Sequence, residues 1–277
     1  MKFFCFFFTF IFLFGFTTAA IAEWAVDGGA NLVYEDNLSH AYDKGDKKAD
    51  YSLKPFLSAS HYNQLTDNSR FFLTALCEGS LFTKYERLDT ISGKMTAGIK
   101  QKMGLGGYAP WVTAYGSAGA LSSSESIRDS FISTAGFSTG KRLHERIDLQ
   151  AGYEYEHRAA QNFLYTQNNN KIHLKLDLLL TDSATLSLGY ALRRGDIVTY
   201  YQDDNYSPSP GEVRLDTFNT PMTAERVRAT THSLSLTALF ALSDNVSVNI
   251  TGERFETTAS GHTYPDDVLR FGISYSY

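Results

Sequence analysis

The segment KIHLKLDLLL, residues 171–180, sets Lys171, His173, Lys175 and Asp177 in alternation with Ile172, Leu174, Leu176 and Leu178. Side chains of a strand point alternately to opposite faces, so the segment predicts one ionic face and one apolar face. The ionic face can line a polar passage or ligand site, or it can close on itself as a ladder of ion pairs. Ile147 to His157 repeats the pattern, with Ile147, Leu149, Ala151, Tyr153 and Tyr155 against Asp148, Gln150, Glu154 and Glu156. A register symmetric about Leu164 and Tyr165 places Glu156 across from His173 and Glu154 across from Lys175. Catalysis finds less support. A hydroxyl nucleophile and its base on one strand face would stand two residues apart, whereas His232 and Ser233 are adjacent and point apart. The seven histidines form no His-x-His pair, and neither a metal nor a cofactor is expected.

Such faces need strands to hold them. Apolar/polar alternation predicts about twelve: 24–34, 51–63, 71–84, 94–105, 111–121, 130–139, 147–157, 170–180, 185–193, 232–242, 246–255 and 268–277. Most reach ten residues or more, whereas soluble strands average about five or six and a tilted membrane strand needs about 9 to 11. The links alternate. LTDNSR, GGYAP, GKRLHER, TDSA and SDN are short. EDNLSHAYDKGDKKAD, YERLDTISG, SSSESIRD, RAAQNFLYTQNN, the Arg194–Thr231 segment and ETTASGHTYPDD are longer and richer in charge. That sorting is expected of a barrel with one rim in a confined periplasm and the other outside the cell, with both termini on the short-link rim. The fold expected is therefore all-β: a closed antiparallel transmembrane β-barrel of about 12 strands, whose Leu174 face meets lipid and whose closure leaves no unpaired edge. Tyr34, Tyr51, Tyr85, Trp111, Tyr155 and Tyr190 fall where an aromatic girdle would lie.

The chain opens MKFFCFFFTFIFLFGFTTAAIA, a lysine, a Phe-rich run and a small-x-small exit. These are the parts of a secretory signal peptide, so residues 1–22 are expected to be removed and 23–277 to form the barrel in the outer membrane of a Gram-negative bacterium. Cys77 alone remains after cleavage, which excludes an intramolecular disulfide framework. The chain carries 25 Lys and Arg against 30 Asp and Glu, a balance that excludes nucleic acid as a partner.

The last strand ends RFGISYSY, which resembles the C-terminal signature of outer-membrane barrels that the insertion machinery recognises, here finishing at Tyr277. NLVYEDNLSHAYDKGDKKADYSL and GYALRRGDIVTYY are similar to segments of uncharacterised porin-like outer-membrane barrels. The resemblance implies a porin-like barrel and carries over no catalytic residue. The His-x-Ser pair of outer-membrane phospholipases is missing, and the nearest ingredients of an omptin-like protease are Asp203, Asp204 and His262.

With apolar faces outward, the inner wall is expected to present Asp27, Glu35, Lys54, Glu78, Lys84, Lys94, Lys100, Lys102, Asp148, Glu154, Glu156, Arg158, Lys171, Lys175, Asp177, Arg193 and Glu253, with His173 among them. Signs are nearly balanced along this wall. A one-sided basic ladder would be expected for acidic solutes, so balance points to weak selectivity among small hydrophilic solutes. In the long segment Tyr200, Tyr201, Asp203, Asp204 and Tyr206 are candidates for contact with a ligand, another cell or the lumen, or for a cover. Two function classes follow: a porin-like passive channel, and a plugged structural or surface-binding barrel.

Overall fold

The computed structural model describes residues 23–202 and 211–277. Residues 1–22, where a signal peptide is expected, and Asp203, Asp204 and Tyr206 lie outside the described residues. Twelve strands form a closed antiparallel ring: β1 (Glu23–Glu35), β2 (Asp50–Thr66), β3 (Ser69–Phe82), β4 (Thr90–Lys102), β5 (Trp111–Ser123), β6 (Ser130–His144), β7 (Ile147–Ala160), β8 (Gln167–Thr181), β9 (Ala184–Tyr201), β11 (Met222–Ala241), β12 (Val246–Ala259) and β13 (His262–Ser276). The short β10 (Glu212–Leu215) pairs with β11 outside the ring. Closure comes from β1 pairing with β13, where Leu32 faces Phe271 and Ala30 faces Ile273.

Period-two alternation carries through the ladders. Leu57, Ile99, Phe137, Ile172, Leu174, Leu188, Leu234, Ile250, Phe271 and Ile273 stand exposed on the outside of the ring. So much apolar surface belongs in hydrocarbon rather than water. Tyr34 and Tyr51 pack with centroids 4.9 Å apart above this belt, and Tyr155 and Tyr190 also face outward. Trp111 and Tyr85 do not join that girdle. Trp111 points inward, with the Lys100 ammonium 4.2 Å from its ring, and Tyr85 packs edge-on against Phe218 in a loop.

On the long-loop rim the links are loop 1 (36–49), loop 2 (83–89), loop 3 (124–129), loop 4 (161–166), loop 5 (202–221) and the turn 260–261. Loops 2, 3 and 4 share one design. A single 3-10 turn (Glu86–Leu88, Ser126–Arg128, Phe163–Tyr165) ends at a residue whose side-chain oxygen accepts the last backbone N–H of the preceding strand region. Asp89 accepts from Phe82, Asp129 from Ser123, and Thr166 from Ala160. Short polar side chains bond nearby backbone readily, which suits them to this position. Ser124 N–H then donates to Asp89 O, and Gln161 N–H to Asp129 O, so each loop steps onto the next.

Two links depart from the expected sorting. ETTASGHTYPDD is no long loop: β12 and β13 pair through Ala259 and His262, and Ser260 (φ 50°) with Gly261 (φ 82°) makes the two-residue turn that matches strand twist. The link from Met103 to Pro110 is longer than its neighbours on the short-loop rim. The largest correction concerns Arg194–Thr231. β9 and β11 stay paired from Arg194–Thr230 out to Tyr201–Thr223, well past the ring. Ile197 to Tyr200 and Met222 to Ala224 are buried on both faces, so alternation disappears from the sequence there and the strand reads as loop.

Candidate functional site

The ladders place Lys54, Lys100, Lys102, Asp148, Glu154, Glu156, Lys171, His173, Lys175, Asp177 and Arg193 on the inner wall, as the alternation requires. Pairing between β7 and β8 is not the expected one. Glu154 faces Lys171, Gly152 faces His173, and Gln150 faces Lys175, a slip of four residues from the register symmetric about Leu164 and Tyr165. Those two residues are buried in loop 4 beneath the long hairpin, which moves the turn toward the N-terminus. An even slip keeps every side chain on its face, so the wall survives while the pairs change.

The ionic face is laced rather than open-handed. Lys175 Nζ lies 3.0 Å from Asp177 Oδ1, and Arg142 pairs with Asp148 at 3.1 Å near the short-loop rim. Ser187 donates to Asp177, and Tyr115 Oη donates to Glu154 Oε2 at 2.8 Å. On the opposite side Asn31, Lys54, Phe56, Glu78, Asn249 and Arg270 line a cavity of about 560 Å³. Arg70, Arg142 and Arg270 also belong to the wall: Arg70 and Arg142 lie one and three residues beyond the predicted strands, and Arg270 stands inside the last one, on the face opposite Leu269 and Phe271. Lys84 leaves it, since it sits in loop 2.

Large inward side chains lie flat because the residue directly across the ladder is glycine. Phe56 covers Gly29, Phe72 covers Gly98, Tyr115 covers Gly136, and His173 covers Gly152. This keeps the lumen wide at ring positions that would otherwise fill it. A Cβ at Gly136 would lie 2.6 Å from Tyr115 Oη and 2.9 Å from Tyr153 O. Gly136→Ala is therefore expected to lift the Tyr115 ring into the passage, break its bond to Glu154 and cost about 1–3 kcal/mol. Thermal unfolding of the detergent-refolded protein and its unitary conductance should both fall; unchanged values in both would contradict the packing.

The outer mouth is covered by the β9–β11 hairpin. Its odd face sets Ile197, Val227 and Ala229 against Ala259 and Tyr264 of the β12–β13 wall. Its even face sets Val198, Tyr200 and Ala224, with Phe218 and Met222, against Leu88, Leu164 and Tyr165 from loops 2 and 4. The hairpin thus fills the space between two sides of the rim. Polar ties join it to every neighbouring loop: Tyr200 N–H to Ser39 O (2.9 Å), Asp216 to Arg87 (3.2 Å), Asn219 Nδ2 to Lys84 O (3.0 Å), Thr217 Oγ1 to Glu125 (2.9 Å) and Arg226 Nη1 to Phe163 O (2.9 Å). Tyr200 Oη meets Tyr165 Oη at 2.7 Å, and Tyr201 Oη donates to Glu212 at 3.0 Å. Of the loop candidates, Tyr200 is core of this cap rather than a surface contact. Loop 1 is pinned by the buried Asn37, whose amide donates to Ala41 O and Pro265 O.

No family model matches the sequence, and no curated protein matches it. Solved structures do. An outer membrane channel from Pseudomonas putida F1 aligns over 94% of this chain and 97% of its own at 13% identity, with a TM-score of 0.62. The NanC porin aligns over 91% and 99% at 12% identity (TM-score 0.47), and the translocator domain of the autotransporter NalP from Neisseria meningitidis over 91% and 88% at 12% identity (TM-score 0.47). The first likeness shows the fold: this chain has the barrel architecture of an outer-membrane channel.

Proposed function

We propose that the chain is a passive diffusion channel of a Gram-negative outer membrane, admitting small hydrophilic solutes with weak charge selectivity. One observation carries the reading: the strands of a closed ring turn polar and charged side chains inward and a continuous apolar belt outward. That arrangement makes a water-compatible interior inside a lipid-compatible shell. Both signs line the wall, and the excess of bases once Arg70, Arg142 and Arg270 join it leaves no more than a weak preference for anions. The short-loop rim with both termini would face the periplasm, the capped rim the outside, and the strand ending at Tyr277 would serve insertion into the membrane. A role without catalysis fits a wall whose acids Asp148, Asp177 and Glu154 are held by Arg142, Lys175 and Tyr115.

Planar-bilayer recording of the refolded protein tests it. Stable conductance steps are expected, and Lys171→Glu with Lys175→Glu should move the reversal potential in a salt gradient toward cations, several-fold in permeability ratio. A membrane that stays silent under all voltages would overturn the reading.

A further inference from the structure

The inner wall just beneath the cap is not balanced like the rest. Arg158 on β7, Arg193 on β9 and Arg128 of loop 3 converge there. Arg158 Nη2 donates to Arg128 O at 3.0 Å, and the Arg128 guanidinium carbon stands 5.4 Å from the centre of the Tyr165 ring. Arg193 Nη2 donates to Asp196 O at 3.2 Å, and Arg158 Nε donates to Ser130 Oγ at 2.9 Å. Among the described residues, none of the three forms an ion pair with a carboxylate. Glu156 on the wall and Glu125 in loop 3 are acids nearby; Glu125 accepts from Thr217 Oγ1, and the Asp196 carboxylate is engaged by the Asn168 N–H.

Two buried polar groups face this corner without a protein partner. Nε and Nη1 of Arg128 make no hydrogen bond, nor does either amide atom of Asn169, a side chain only 4% exposed. A buried amide or guanidinium left in that state costs free energy that a native fold rarely concedes without a reason. Asn169 faces Glu156 on one side and Gly195 on the other, with Arg158 and Arg193 one step away along those strands. A Cβ at Gly195 would run into the backbone oxygen of Asn168 as well as into Asn169 Oδ1, so the close approach of β8 and β9 requires glycine there and seats the Asn169 amide directly against the β9 backbone.

We propose that this corner binds a small oxyanion, of the carboxylate or phosphate class, between Arg128, Arg193 and the Asn169 amide. Guanidinium forks match the oxygen spacing of such groups, and the amide N–H₂ adds a neutral donor. His40 of loop 1 reports the same field: burial first, then Arg193 and Arg128, holds its imidazole down to about 4. The inference rests on the channel reading in that it names what the lumen would select.

Titration calorimetry with inorganic phosphate on the protein refolded in a phosphate-free detergent tests it, with chloride at equal ionic strength as control. Binding is expected in the native chain. Asn169→Ala and Arg128→Gln should each weaken it about tenfold or more, while Lys54→Gln on the opposite wall leaves it unchanged. Proteolysis of loop 5 reads whether Arg128→Gln has loosened the cap; Asn169, bonded to nothing through its side chain, carries the test without that complication. No heat with phosphate, or equal affinity in both variants, overturns the site. A conducting protein that phosphate neither binds nor blocks sinks the site alone, whereas a silent protein that binds phosphate sinks only the channel.

Discussion

Truncating the cap core by Phe218→Ala together with Leu164→Ala is expected to open the outer mouth while leaving the ring folded. Phe218 is 2% exposed and Leu164 fully enclosed. Phe218 meets Tyr85 and Tyr200 edge-on at centroid separations of 5.1 and 5.0 Å, so one substitution removes the aromatic contact between loops 2 and 5 and leaves only the polar ties of Asp216 and Asn219. Large-to-small changes at such sites cost about 3–5 kcal/mol for phenylalanine and 2–5 for leucine. The ring meets this cluster only at strand ends such as Phe82 and Ala160 and in the β9–β11 extension, and its strands are held by their own ladders from β1 through β13. The loss therefore falls on the docking of the hairpin. Larger and noisier conductance steps and faster proteolysis within residues 202–221 are the expected readouts. If both match the native chain, the hairpin is not what limits the mouth.

Acid should act on the same cap through two opposed groups. His40 is held near 4 in the closed loop against 6.5 when free. A base lowered in this way is neutral in both states above 6.5. As pH falls from 6.5 toward 4 the opened loop takes up a proton that the closed loop refuses, so closure weakens, by on the order of 2–3 kcal/mol at the low end. Asp266 pulls the other way. It lies above the apolar belt, beside the outward charges Arg254 and Asp267, and burial, then the carboxylates of Glu35 and Asp36, raise it from the ordinary carboxylate range. Loop 1 covers it through Asn37, and a raised acid favours the closed form at low pH, with that contribution lost as pH rises. His40→Asn, compatible with the φ of 46° at that position, should remove the acid-induced opening and leave a cap that tightens on acidification. Loop-1 proteolysis from pH 7 to 4 in both proteins would measure this. Identical profiles would refute the role given to His40.

What the sequence determined by itself is the set of faces. Alternation is a property of adjacent residues, so Leu174 outward and Lys175 inward could be read from ten positions, and a dozen such segments with sorted links implied the ring. The charged wall followed, from Lys54 around to Arg193. Only the tertiary structure decided how the strands register and what closes the mouth. The β7–β8 slip depends on where Leu164 and Tyr165 find burial, against residues such as Tyr200 and Phe218 that lie far along the chain. Ile197 to Tyr200 carry no alternation because both their faces are covered, so the rule that found the twelve ring strands could not find this extension. Arg128, His40 and Asn169 gain their meaning in the same way: two come from loops with no periodicity, and the third is an ordinary asparagine until Gly195 and three arginines are brought beside it.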